Sequence, residues 1–207
     1  MLAGPVVMIG LALAVSPGFA ETLDRIAVSV GQEVITESQI ILDLRVAAFL
    51  DQKPVDLSGP AKRQAAERLV DQRLILREAV DSHVTLPSVE ATTGLIAPYA
   101  AETGYQANLQ RYGISERDLG AHLLAGLRTL TFTDLRFRPD VQVSSDDVRS
   151  YYDKLPDSAA APKPAFEDSR EQMEKLLTEQ RVIDALDQWL AMARSAANIR
   201  YRDKAFE

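Results

Sequence analysis

The chain has two histidines, His83 and His122, and no cysteine. The histidines stand 39 residues apart, and neither has the His-x-x-x-His or His-Glu-x-x-His spacing that sets two metal ligands on one helix face. No metal site is therefore expected. The absence of cysteine excludes disulfides, thiolate zinc sites, iron–sulfur clusters and a thiol nucleophile. Ser58-Gly59-Pro60-Ala61-Lys62 lacks the spacing of a phosphate-cradling loop, and no Gly-x-Ser-x-Gly elbow is present for acyl transfer. Carboxylates adjoin at Asp146-Asp147 and Glu167-Asp168, but neighbours on a helix point apart and make no acid–base dyad. Both pairs stand where helices are expected to start, and the helix dipole accounts for them. No catalytic residue and no cofactor is expected.

The aromatic side chains are the more suggestive set. Tyr99, Tyr105, Tyr112, Phe132 and Phe137 fall on helix flanks or ends, with Tyr151, Tyr152 and Trp189 further along. Ordinary core packing explains any one of them, and Trp189 adjoins the stripe through Leu186 and Leu190. An exposed subset would instead line a groove for apolar, aromatic-bearing peptides. Tyr99, Tyr105, Tyr112, Phe132 and Phe137 are the candidates for such peptide contact.

The elements that must position these residues are mostly helices. Ten Gly and ten Pro in 207 residues are too few for a many-turned β protein, and an apolar content of 46% supports a packed core. Arg25–Val30 alternates, Gly31-Gln32 turns and Glu33–Ile35 returns, which predicts a hairpin. Thr36 and Gln39 form a capping box for a helix to about Leu50, with Ile40, Ile41, Leu44 and Ala47 or Ala48 at helical spacing. Ser58-Gly59-Pro60 opens a second helix, whose apolar positions cover more than one stripe. A weaker helix runs from Ser88 to about Ala101, and a short one carries Leu109 and Tyr112. Ser115 caps a long helix with two apolar sides, stopped by Pro139. Ser144 or Ser145 caps the next, to Tyr152. After a Pro- and Ala-rich stretch, Phe166 leads into a last long helix, and Asn198–Arg202 reads as a strand able to pair with Ile26–Val30. The expected fold is mainly α, with a small sheet formed by the amino-terminal hairpin and the carboxy-terminal strand.

Charge and the first residues bound the setting. Thirty acidic against 23 basic side chains give a formal charge of −7, which argues against nucleic acid as a partner. Leu2–Val15 carries no charged or strongly polar side chain, and Ser16-Pro17-Gly18-Phe19-Ala20 ends in a small-x-small pattern. That layout predicts a signal peptide over 1–20, cleaved after Ala20. The apolar run is shorter than the roughly 20 residues a membrane span needs, so no stable membrane insertion is expected after cleavage.

The order of motifs resembles the SurA-type periplasmic foldases. Arg25-Ile-Ala-Val-Ser-Val-Gly-Gln-Glu-Val-Ile-Thr-Glu-Ser-Gln39 is similar to their opening strand, turn and first helix start. Leu69-Val-Asp-Gln-Arg-Leu-Ile-Leu-Arg-Glu-Ala79 resembles their second helix, and Tyr112-Gly-Ile-Ser-Glu-Arg-Asp-Leu119 the next landmark. Val141-Gln-Val-Ser-Ser-Asp-Asp-Val-Arg-Ser-Tyr-Tyr152 resembles the Tyr-Tyr segment, and Phe166 through Trp189-Leu190 to Tyr201 the closing helix and strand. The resemblance spans residues 24–202 in order. Full-length relatives carry one or two parvulin-type prolyl isomerase domains between the Tyr-Tyr segment and the closing helix. Here Asp153–Ala165 fills that gap, far short of the roughly 50 residues a domain takes.

The resemblance thus implies a chaperone core over 21–153, a linker over 154–165 at the place of the missing parvulin domain, and a closing helix and strand over 166–207. It implies an ATP-independent holdase for unfolded outer-membrane or secreted polypeptides in the periplasm, and not an isomerase. The rival readings are a divergent peptidyl-prolyl isomerase and a non-catalytic subunit for one exported partner.

Overall fold

The computed structural model describes residues 24–156 and 163–207. The signal-peptide expectation over 1–20 lies outside the described residues, as does half of the linker, 157–162. The fold is mainly α with a small antiparallel sheet, as the sequence predicts. Strand β1 (Ile26–Val30) and strand β2 (Glu33–Thr36) form the hairpin, closed at Gly31, whose φ of +61° suits a residue without Cβ. Helix α1 (Glu37–Leu50) follows at once, because Thr36 and Gln39 exchange side-chain and backbone hydrogen bonds in a complete capping box. Helix α2 (Gly59–Asp81) starts at the Ser58 cap with Pro60 in its first turn. Helices α3 (Thr92–Ala100) and α4 (Tyr105–Tyr112) are short, and α4 is bounded by Gly104 and Gly113, both in left-handed backbone.

Helix α5 (Glu116–Arg136) and helix α6 (Ser145–Lys154) repeat the capping box with Asp118 under Ser115 and Asp147 under Ser144. The Ser144 backbone N–H, then Arg181 and the Ser144 hydroxyl, pull Asp147 down to about 2. The carboxylates at this helix start therefore act as caps. Helix α7 (Phe166–Ala196) runs back along α6, α5 and α2, and strand β3 (Ile199–Tyr201) docks beside β1. The sheet order is β2-β1-β3, so the first strand is central and the last completes it.

Three groups of buried side chains hold these elements. Val28, Val30, Ile35, Ile40, Val70 and Leu74 join the sheet to α1 and α2. Val46, Phe49, Ile96, Tyr105, Leu109 and Leu119 join α1, α3, α4 and α5. Ile75, Phe132, Phe137 and Val182 join α2, α5 and α7, with Trp189 bridging to the first group. Helix α1 buries Ile40, Asp43, Val46, Ala48 and Phe49; of the expected stripe Ile40 and Ala48 are buried, while Ile41, Leu44 and Ala47 are only partly covered. The apolar faces of α5 and α7 are also less covered than their spacing suggests: Leu130, Leu135, Leu176 and Ile183 are exposed. A helix of 31 residues is about 46 Å long and overhangs the body it packs on.

The carboxy-terminal segment is clasped rather than loose. Ala205 is fully buried, and Arg63 lies 3.6 Å from the centroid of the Tyr201 ring and against Phe206. Lys62, almost fully buried, donates to Glu37 (3.2 Å) and to the Glu207 carbonyl (3.1 Å). Gly59 is required here, because any side chain on it would collide with the Phe206 carbonyl.

Candidate functional site

A cleft opens between α1, α2 and α5. Its walls combine aliphatic side chains, Ile35, Leu42, Val46, Leu69, Ala121 and Ala125, with the polar Gln39, Gln72, Arg73 and Asp118, and its volume is about 190 Å³. A smaller hollow of about 40 Å³ continues it along α2 and α5, sharing Gln72, Ala121 and Ala125. One polar node sits at its floor. Asp43 of α1, with only 4% of its side chain exposed, accepts from Arg68 of α2 at 2.7 Å and from His122 Nδ1 of α5 at 3.1 Å. Burial alone would raise the Asp43 carboxyl, but the His122 and Arg68 hydrogen bonds and the Arg68 charge outweigh it and hold the group below its ordinary value. The node thus ties three helices together with an ionised carboxylate.

Because a carboxylate only accepts, the proton between His122 and Asp43 is on Nδ1. Nε2 makes no hydrogen bond among the described residues. No serine, threonine or lysine lines the cleft beside the Asp43–His122 pair.

A second opening lies at the far end of α1. Phe49 is its hub, with ring centroids 5.8 Å from Tyr112, 6.3 Å from Tyr99 and 6.4 Å from Tyr105. The depression holds about 260 Å³ and is rimmed by Gln52, Glu102, Asn108 and Arg111. Tyr99 and Tyr112 face it and are half-buried. Tyr105 lies beneath, buried, with no hydrogen-bond partner for its hydroxyl; burial, then the Glu116 charge, push that phenol up.

The five residues expected to contact peptide are therefore not brought together. Phe132 is fully buried and Phe137 nearly so, stacked edge-on at 5.9 Å and closed over by Trp189. Their spacing placed them on a second apolar side of α5, but α2 and α7 cover that side, so they are core and leave the contact set. Tyr105 leaves it as well, buried among Val46, Phe49, Ile96 and Leu119. Tyr99 and Tyr112 remain at a surface.

Sequence reasoning missed Phe49, His122 and Asp43. Phe49 and Asp43 carried a signal in the three-residue rhythm Ile40, Asp43, Val46, Phe49, where an acid stands at a core position. His122 carried none, since its partner is 79 residues away in α1 and only the fold joins them. Among the described residues no group of histidines and acids could hold a metal, and no helix is long and apolar enough to cross a membrane. Compared with known proteins, the chain matches no family model and no curated protein.

Proposed function

We propose that this chain is an ATP-independent periplasmic holdase that keeps unfolded outer-membrane or secreted polypeptides from aggregating. One observation carries the reading. The closing helix α7 and strand β3 return to α2 and β1, so the body is complete without an inserted domain, while the α1–α2–α5 cleft and the Phe49 depression stay open. That closure supports the likeness to a SurA-type core lacking its parvulin domain. The aliphatic part of the cleft, Ile35, Leu42, Val46, Leu69, Ala121 and Ala125, suits the uptake of apolar side chains of an extended chain. Net negative charge favours solubility of a holder with apolar openings. The periplasmic assignment rests on the apolar run Leu2–Val15 and the Ser16–Ala20 pattern.

Light scattering from a urea-unfolded outer-membrane porin, diluted with and without equimolar chain, tests the proposal. Suppressed scattering without ATP is the expected result. Scattering as strong as in buffer overturns it. A prolyl-peptide isomerisation rate equal to buffer is expected alongside, because no isomerase domain is assigned.

A further inference from the structure

The segment that follows β3 sits on the body the way a bound peptide does. Residues 203–205 make a single 3-10 turn, in which Ala205 is fully buried while Asp203 and Lys204 are exposed; Phe206 is half-buried and Glu207 exposed. No side chain of residues 202–207 makes a hydrogen bond or ion pair among the described residues. The body grips the main chain instead. Arg25, just ahead of β1, donates to the Lys204 carbonyl at 3.0 Å, and Lys62 on α2 donates to the Glu207 carbonyl at 3.1 Å. The Phe206 carbonyl lies so near Gly59 that a Cβ there would stand 2.4 Å from it. The Phe206 ring centroid is 5.4 Å from the Arg63 guanidinium carbon, which is stacked on Tyr201.

The receiving side does not depend on the segment. Lys62 is also held by Glu37 at 3.2 Å and Arg63 by Glu67 at 3.4 Å, and β3 is paired to β1 before the segment begins. Little holds the segment in return, since the methyl of Ala205 is its one fully buried side chain. Two cations aimed at carbonyl oxygens, a site that buries a methyl and a guanidinium beside a ring together accept polypeptide, and the occupant is in view. What is read is the main chain, a small residue and the aromatic residue after it; the other side chains stay in water.

We propose that residues 203–207 are a built-in plug: they fill a peptide groove beside the start of α2 which, on their displacement, takes a client segment of the same chemistry, a small residue followed by an aromatic one. The proposal rests on the holdase reading for the source of that segment. A tethered plug has an effective concentration on the order of millimolar, so free peptide competes poorly until the plug is dislodged.

Two fluorophore-labelled peptides are the probes, titrated by anisotropy with the full chain: acetyl-Arg-Asp-Lys-Ala-Phe-Glu-amide, which copies residues 202–207, and acetyl-Gly-Ser-Thr-Ala-Phe-Ser-amide, which shares only the Ala-Phe pair. Ala205→Arg cannot re-enter the site that buries a methyl, so it dislodges the plug and is expected to bind both peptides about tenfold or more tighter than the parent. Gly59→Val added to Ala205→Arg sets a side chain where the peptide carbonyl must lie, and is expected to abolish that gain. Equal binding by the parent and Ala205→Arg, binding of the first peptide alone, or a gain that survives Gly59→Val each overturns the proposal. So does loss of cooperative melting in either variant, which makes the segment a structural staple. Porin still protected by the parent in any of those events leaves the holdase reading standing on other surfaces. The full peptide gain with no porin protected by either chain keeps the groove and removes the holdase reading.

Discussion

Two aromatic clusters of similar make-up end up with opposite characters. Phe132 and Phe137 are buried between α2, α5 and α7 with a partly buried Trp189 against them, whereas Tyr99 and Tyr112 are half-buried around the buried Phe49 and line a depression at the end of α1. What separates them is partner supply. The long helices α2 and α7 lie over the first cluster, while the second is covered only by the short helices α3 and α4, of nine and eight residues. Ring chemistry follows: the closed cluster uses Phe and the indole of Trp, and the open one has tyrosines whose hydroxyls can meet water. Aromatic side chains therefore mark a surface here only where their covering helices are too short to reach over them.

Changes that break the closed cluster should have the largest effect. Phe132→Ala empties a fully buried ring site and is expected to cost about 4 kcal/mol, read as a lowered urea midpoint. A loss under about 1 kcal/mol would show that the cluster is not closed in solution. Serine at both Tyr99 and Tyr112 removes half-buried rings and should cost less, under about 2 kcal/mol each, yet should weaken porin protection severalfold. If protection is unchanged, the open cluster is only packing. Tyr105→Phe, at the boundary of the open cluster, deletes a hydroxyl that is buried without a partner. Stability should hold or rise by up to about 1 kcal/mol, and a clear loss would reveal a bond the structure lacks.

The smallest effect concerns the node between the two clusters. Asp43 is held below its unfolded value of 3.8, so its contribution is fully present above that pH and is lost as pH falls through the folded value. Melting temperature measured from pH 6 to 2.5 should therefore drop less steeply in Asp43→Asn, itself less stable at pH 6, than in the parent. Parallel curves would remove the node from the acid response.

Local rules made much of this fold readable. Thr36, Ser58, Ser115 and Ser144 each announce a helix whose first turn needs a side-chain acceptor, and each does cap one. Alternation at Ile26–Val30 and Ile199–Tyr201 even gave the strand partnership, since both are short and apolar on one face. Burial was less readable. Spacing says that α5 has two apolar sides but not that one receives α2 and α7 while Leu130 and Leu135 stay in water. The chemistry of the cleft was legible only in Asp43, an acid at a core position of α1. Asp43, Arg68 and His122 are ordinary surface types in sequence, and their bonds join three helices through space.

The central place of β1 has a temporal consequence. Residues 26–30 are paired on one side by their immediate neighbour in the chain and on the other by residues 199–201, so half of that strand's ladder waits for the far end. Closing so long a loop is slow, because its entropy is lost before the contacts form. While a nascent chain is short of Ile199, β1 shows an open edge that any extended segment could occupy. The clasp of Phe206 and Glu207 by Gly59 and Lys62 would then act as the latch that ends this vulnerable interval.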